Sequence, residues 1–178
     1  MMTETFYGIE ASSNVKEYLK IGSSLDFMKM PCAMSEFQFL DRTPISAEVD
    51  EDSGQECQDF ICEFGIPLVS ERLKDFFDRF GIDYLFYKKI VLTRTSIGMA
   101  EPYWLALPPR IDCLDFEKSE IDDVLNAADS IIIDSSRIGR YDIFKLSRVT
   151  NLEIITTEKL ALALKAEDFT GIHIYPIN

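Results

Sequence analysis

"PLVSERLKDFF", residues 67–77, is answered near the other end of the chain by "IITTEKLALAL", residues 154–164. Each runs from apolar, strand-like residues into a hydroxyl residue, an acid, a base and a leucine: Ser70, Glu71, Arg72 and Leu73, then Thr157, Glu158, Lys159 and Leu160. A hydroxyl at a helix start accepts an orphaned backbone N–H, and the helix dipole favours an acid in the first turn. Leu73, Phe76, Phe77 and Phe80 then fall at i, i+3, i+4 and i+7 before Gly81, which is the spacing of a helix with one buried face. "LALALK", residues 160–165, supplies strong helix formers in the second copy. Both copies continue into Gly-Ile and a strand-like run, "GIDYLFY" from Gly81 and "GIHIYPI" from Gly171. The echo therefore reads as architecture, a capped helix between two strands, and needs no substrate to explain it. It is too short to establish a duplicated domain.

Outward from the echo, "IDYLFYKKIVLTRT" and "EPYWLALPP" are rich in β-branched and aromatic residues and read as strands, the second stopped by Pro108 and Pro109. "DFEKSEIDDVLNAADS", residues 115–130, suggests another helix: Ser119 precedes Asp122 by three positions, and Ile121, Val124, Leu125 and Ala128 recur at helical spacing. "SIIID", "YDIFKLS" and "NLEIIT" read as strands, the first two bracketing a turn at "SSRIGR". Upstream, "TFYGIE" and "EFQFLD" alternate like strands, and "SNVKEYLKIG", residues 13–22, fits one short helix ended by Gly22. "PISAEVDEDSGQECQDF", residues 44–60, crowds Pro, Gly, Ser and acids into an expected exposed loop.

With 178 residues, 47% of them apolar, the chain has enough apolar material for one domain with a sizeable core. Thirty-one acids against 18 bases give a net charge of −13, which disfavours nucleic acid and anionic membranes as partners and favours a basic one. The acidity is segregated. Residues 1–60 hold twelve acids and four bases, and residues 110–134 hold eight and two, whereas residues 65–110 are near neutral with five and seven. The N-terminal "MMTETFYGIEASS" shows no basic segment leading into an apolar one, and no stretch approaches the roughly 18 apolar residues of a membrane span. The expectation is a soluble, cytoplasmic protein whose cysteines, Cys32, Cys57, Cys62 and Cys113, are reduced thiols, since they lack the close pairs of zinc sites.

Chemistry was sought and little was found. The single histidine, His173, alternates with Ile172 and Ile174 in a terminal strand and suits that strand's polar face. No nucleophile elbow, phosphate-cradling glycine loop or HExxH is present. "DEDSGQE" starts like a calcium loop at Asp50 and Asp52, but Gly54 comes one position early and Ile61 stands where a bidentate Glu is required. Asp112, Asp115 and Glu117 carry the alternative reading, a hydrolase or nuclease using Mg²⁺, although Asp115 just ahead of Ser119, Glu120 and Asp122 also suits a helix start. No catalytic, cofactor or metal residue is assigned on this reading.

"PLVSERLKDFF", then "YWLALPPRIDCLDFEKS" with Asp112, Asp115 and Ser119, then "IIID", "DIFKL", "IITTEKLALAL" and "GIHIYPI", in that order, resemble a bacterial immunity-protein family. It is immunity family eleven of polymorphic toxin and interbacterial competition loci, earlier described only as a domain of unknown function. The likeness spans Gly65 to Ile177, about two thirds of the chain. Ala106 stands where members tend to carry Asn, and Lys145 where Arg is common. The resemblance implies a protein that neutralises a toxin partner and is not an enzyme. A structural or regulatory interaction module is the remaining alternative.

The fold expectation is a single domain over 1–178, α+β or mixed α/β, with several helices packed on a largely antiparallel mixed sheet. A strand-helix-strand repeat around each echo fits the spacing. An N-terminal segment, 1–64, would fold against a family-like core at 65–178. The partner-facing residues expected are Glu48, Asp50, Glu51, Asp52, Glu56 and Asp59 in the acidic loop and Glu117, Glu120, Asp122 and Asp123 further on.

Overall fold

Ser70 caps helix α1 (Glu71–Phe80) as its position demands, accepting the Leu73 N–H on Oγ at 3.2 Å, and Gly81 closes the helix with φ 92°. The computed structural model that shows this describes residues 4–12, 18–22, 32–36 and 45–177. Two sheets organise them. One contains β1 (Phe6–Ala11), β7 (Arg110–Ile111), β10 (Ile143–Leu146), β11 (Ile154–Thr157) and β12 (Ile172–Pro176) in the order β12-β1-β11-β10-β7. The other contains β2 (Ile45–Glu48), β3 (Phe60–Glu63), β4 (Ile66–Val69), β5 (Phe86–Arg94) and β6 (Met99–Leu107) in the order β2-β5-β6-β4-β3. All neighbours are antiparallel except β2 with β5 and β7 with β10.

The two echoes occupy matching places in these sheets. β4 leads through α1 to β5, and β6 lies between those strands, antiparallel to both, so β4 and β5 are parallel. β11 leads through helix α2 (Glu158–Lys165) to β12, and β1 fills the equivalent slot. Each unit also begins alike, with an aspartate opening the antiparallel partner strand: Asp59 before β3 and Asp142 before β10. The hydroxyl of each echo donates to that aspartate at 2.7 Å, Ser70 to Asp59 and Thr157 to Asp142, and each backbone N–H donates to the same residue's carbonyl. The base two residues on is also drawn in: Arg72 lies 2.9 Å from Asp59 and Lys159 3.8 Å from Asp142. Thr157 is thus the N-cap of α2 by position, but its side chain makes no capping bond and serves the aspartate instead.

Both sheets are buried on both faces. Successive residues of a strand point opposite ways, and Leu68, Ile61, Leu105 and Leu107 enter one outer core while Val69, Phe60 and Ala106 enter the central one. Across the other sheet, Ile9, Ile143 and Ile154 face the central core, and Phe6, Phe144 and Ile155 face a third core with Cys113, Leu114 and Val149. Leu73, Phe76 and Phe77 of α1 and Leu160 and Leu164 of α2 join the central core. This explains why every residue of β4, β10 and β11 is buried, the polar Lys145, Thr156 and Thr157 included.

Close approach fixes where the sheets meet. A Cβ on Gly171, at φ 78°, would stand 2.4 Å from the Phe60 carbonyl oxygen, and one on Gly65, at φ 68°, 2.6 Å from that of Leu152. Asp59 reinforces the first junction, since Thr170 donates its N–H and its hydroxyl to the carboxylate while Thr170 Oγ1 accepts the Asp59 N–H. Lys145 reinforces the second. Fully buried in β10, it donates from Nζ to the carbonyls of Ala33 at 2.6 Å and Gly65 at 2.5 Å.

Several expectations are corrected or refined. Only two helices of more than one turn, α1 and α2, are present among the described residues, so a layer of several packed helices is not. Residues 115–130 form a hairpin, β8 (Glu120–Asp122) with β9 (Ala127–Ser130): Asp122 accepts the N–H groups of Val124 and Leu125, and Asp115 those of Glu117 and Lys118, so these side chains fold turns instead of starting a helix. The acidic loop is ordered at both ends by β2 and β3, and between them Arg94, 4% exposed, donates to the carbonyls of Asp50, Ser53 and Gly54. Of "SNVKEYLKIG", Tyr18 and Ile21 make strand bridges to Glu56 and Val49, and residues 13–17 lie outside the described residues, as do 37–41 of "EFQFLD". In "SIIID", Ser130 ends β9 and Ile133 makes a single bridge to Leu114. The four cysteines are free, with Cys32 and Cys113 buried.

Two predictions follow from these junctions. Asp59→Ala removes the shared acceptor of Ser70, Arg72 and Thr170 and is expected to cost about 3 kcal/mol in urea unfolding, whereas Asp142→Ala, with its looser lysine, costs about 1 kcal/mol; equal losses would contradict the ranking. Burial pulls the Lys145 ammonium down from 10.5 to about 8, so between those values the unfolded chain holds a proton that the folded one has released, and this group's contribution to stability rises with pH across that window. Burial pushes the Cys62 and Cys113 thiols up to about 12, so the unfolded chain ionises them first and stability falls as pH climbs above 9.0. Melting temperature should therefore climb between about pH 8 and 9 and fall beyond, and Lys145→Met should abolish the climb alone.

Candidate partner-binding surface

The acids expected to face a partner divide into two groups that lie against different cores. Glu48, the last residue of β2, and Asp50, Glu51, Asp52 and Glu56 on the turn after it are exposed, while the neighbouring Ala47 and Val49 enter the outer core of the β2-to-β3 sheet. That turn is tied down: Glu51 accepts the Ser96 hydroxyl at 2.5 Å, Asp50 accepts the Asp52 N–H, and Arg94 grips the backbone. Glu117, Glu120 and Asp123 are exposed on and beside the β8–β9 hairpin with Asp122 half-buried, and the hairpin's Ile121 and Ala128 pack on the third core. Asp59 belongs to neither group. It is 8% exposed, and both carboxylate oxygens are engaged by Ser70, Arg72 and Thr170, which makes it a fold residue.

Two of the three carboxylates considered for Mg²⁺, Asp112 and Asp115, are held by the protein's own cations. Asp112 Oδ2 lies 3.0 Å from Arg137 and 3.5 Å from Arg148, and Asp115 binds Lys118 at 2.7 Å. The lysine hydrogen bond, ahead of all other influences, holds the Asp115 carboxyl below its usual range. Among the described residues no group of three or more His, Cys, Asp or Glu is placed to hold a metal ion. His173 lies on the exposed face of β12, with Nδ1 2.9 Å from Glu10 Oε1 and its ring stacked on Tyr175.

An open recess of about 490 Å³ lies where the sheets meet, lined by Glu10, Cys62, Phe64, Leu152, Glu153 and Tyr175 among others. Its thiol is kept protonated by burial, which removes the thiolate that nucleophilic chemistry requires. No helix among the described residues is long and apolar enough to cross a membrane.

What the sequence reading missed is apolar and exposed. Val124 and Leu125, expected on a buried helix face, stand at the tip of the β8–β9 hairpin with 91% and 66% of their surface in solvent. The signal was Asn126, which adopts φ 52°, beside two aspartates: a turn-forming trio inside a helical apolar spacing.

No curated protein matches the chain. A family model described as "Immunity protein family (Imm11)" matches residues 15–178, so the match extends well upstream of Gly65 and takes in the acidic turn, β2 and β3. With nearly its whole length covered, the chain belongs to this immunity protein family.

Proposed function

We propose that the chain binds a cognate bacterial toxin and neutralises it by covering a basic surface. The observation that carries this reading is membership of the immunity family by an acidic chain that exposes acids at, among other places, residues 48–56 and 117–123. Charge of one sign on a protein of net −13 steers a basic partner into encounter and rejects other acidic surfaces. A polyanion-cleaving enzyme has the matching positive cleft, so a nuclease toxin is the substrate-competing partner that fits best. Inhibition by occlusion needs a wide interface, roughly 1,200 to 2,000 Å² in total, and no reaction on the immunity protein's side.

Co-expression tests the reading. Cells carrying the toxin gene adjacent to this one should survive when the chain is present and die without it. Association measured with the purified pair should slow at least tenfold from about 50 to 500 mM salt if charge steers the encounter, and a salt-independent rate would remove the electrostatic part of the reading.

A further inference from the structure

We infer that the tip of the β8–β9 hairpin, Val124 and Leu125 beside the unpaired Asp123 carboxylate, is the anchor that enters the toxin, in an apolar recess edged by lysine or arginine. The inference rests on the immunity reading and names the contact it would use.

Three observations converge on the tip. First, its backbone is held from both sides. Asp122 accepts the Val124 and Leu125 N–H groups at 2.8 and 2.9 Å, and the 148–151 segment binds the far side: Thr150 Oγ1 donates to the carbonyls of Leu125 and Asn126, Asn126 donates to the Arg148 carbonyl, and Asn151 both donates to and accepts from the Ala128 backbone. Second, that scaffolding directs two aliphatic side chains into water, with Val124 91% exposed. Exposed aliphatic surface gains free energy when a partner covers it, and a prefixed backbone has little freedom left to lose on binding. Third, the acid at the tip is uncompensated. Asp123 has no side-chain hydrogen bond or ion pair among the described residues, and neither have Glu117 and Glu120 toward the open end of the hairpin, whereas Asp50 and Glu51 of the other turn are engaged. Among the described residues the other strongly exposed aliphatics, Ile97 and Leu162, are single residues on other elements.

Charge also selects the occupant. A second copy of the chain would bring another −13 against the same acids, whereas a basic toxin relieves their mutual repulsion.

Binding of the purified toxin encoded beside this gene decides the matter, read by calorimetry and by survival on co-expression. Val124→Ser with Leu125→Ser should weaken binding at least tenfold, chiefly through faster dissociation, and leave the melting temperature unchanged because both side chains are already in water. Asp123→Lys, which keeps the apolar pair, should slow association and flatten its salt dependence. Leu162→Ser on α2 should do neither. If the wild type binds and the double variant binds within twofold, the tip is not the anchor and the immunity reading stands. If the wild type neither binds nor protects, that reading falls and the inference falls with it. A wild-type dimer in light scattering that the double variant loses would show the tip covering itself and overturn the assignment to a toxin.

Discussion

The Asp59 carboxylate is the constraint on which the arrangement of the two sheets depends. It sits where β3 begins, accepts from the hydroxyl that starts α1, pairs with the arginine of that helix, and takes the Thr170 N–H from the turn that launches β12. One side chain therefore sets the angle of a helix on its own sheet and joins that sheet to the other. An ion with this many fixed donors is well stabilised despite burial, and any one donor's loss leaves the rest misplaced. The second unit reuses the device with Asp142, Thr157 and Lys159, and there the Tyr84 hydroxyl, just ahead of β5 as Thr170 is ahead of β12, accepts the Asp142 N–H at 2.7 Å.

From this follows the layered interior. Because hairpin, helix and returning strand are built twice and both helices enter one central core, each sheet has an inner face against helices and the other sheet and an outer face with a core of its own. β8 and β9 lie on one outer face and the turn after β2 on the other, so the acids of these two segments are borne by elements that cover the outer cores and take no part in the central packing. Variation there leaves the sheets intact, which suits a protein whose partner-facing surface must be specific.

How much of this was legible in the sequence depends on the residues. The helix at 71–80 was readable because its cap, dipole acid, apolar period and closing glycine all agree. The long strands of the second sheet were readable from β-branched and aromatic content. The aspartates that make the echo meaningful were not, since Asp59 and Asp142 lie 11 and 15 residues ahead of the hydroxyls they bind. The hairpin at 120–130 was misread because Val124 and Leu125 happen to match helical spacing, and periodicity cannot tell an apolar pair facing a core from one facing solvent. The same error hid the most distinctive part of the candidate surface, while the exposed acids were visible by composition alone. Asp59 shows the limit of composition, being an acid among acids that faces inward.

β1 occupies the slot between β11 and β12, with Phe6 opposite Thr157 and Ala11 opposite Ile172. Its partners are thus made roughly 150 residues later, whereas β2 to β6 all lie within 45–107 and can assemble as soon as that stretch has left the ribosome. During synthesis β1 waits with both edges open until β11 has been made, and with one edge open until β12 follows. A chain cut short of residue 154 would therefore carry an unpaired strand with two edges free to join other chains.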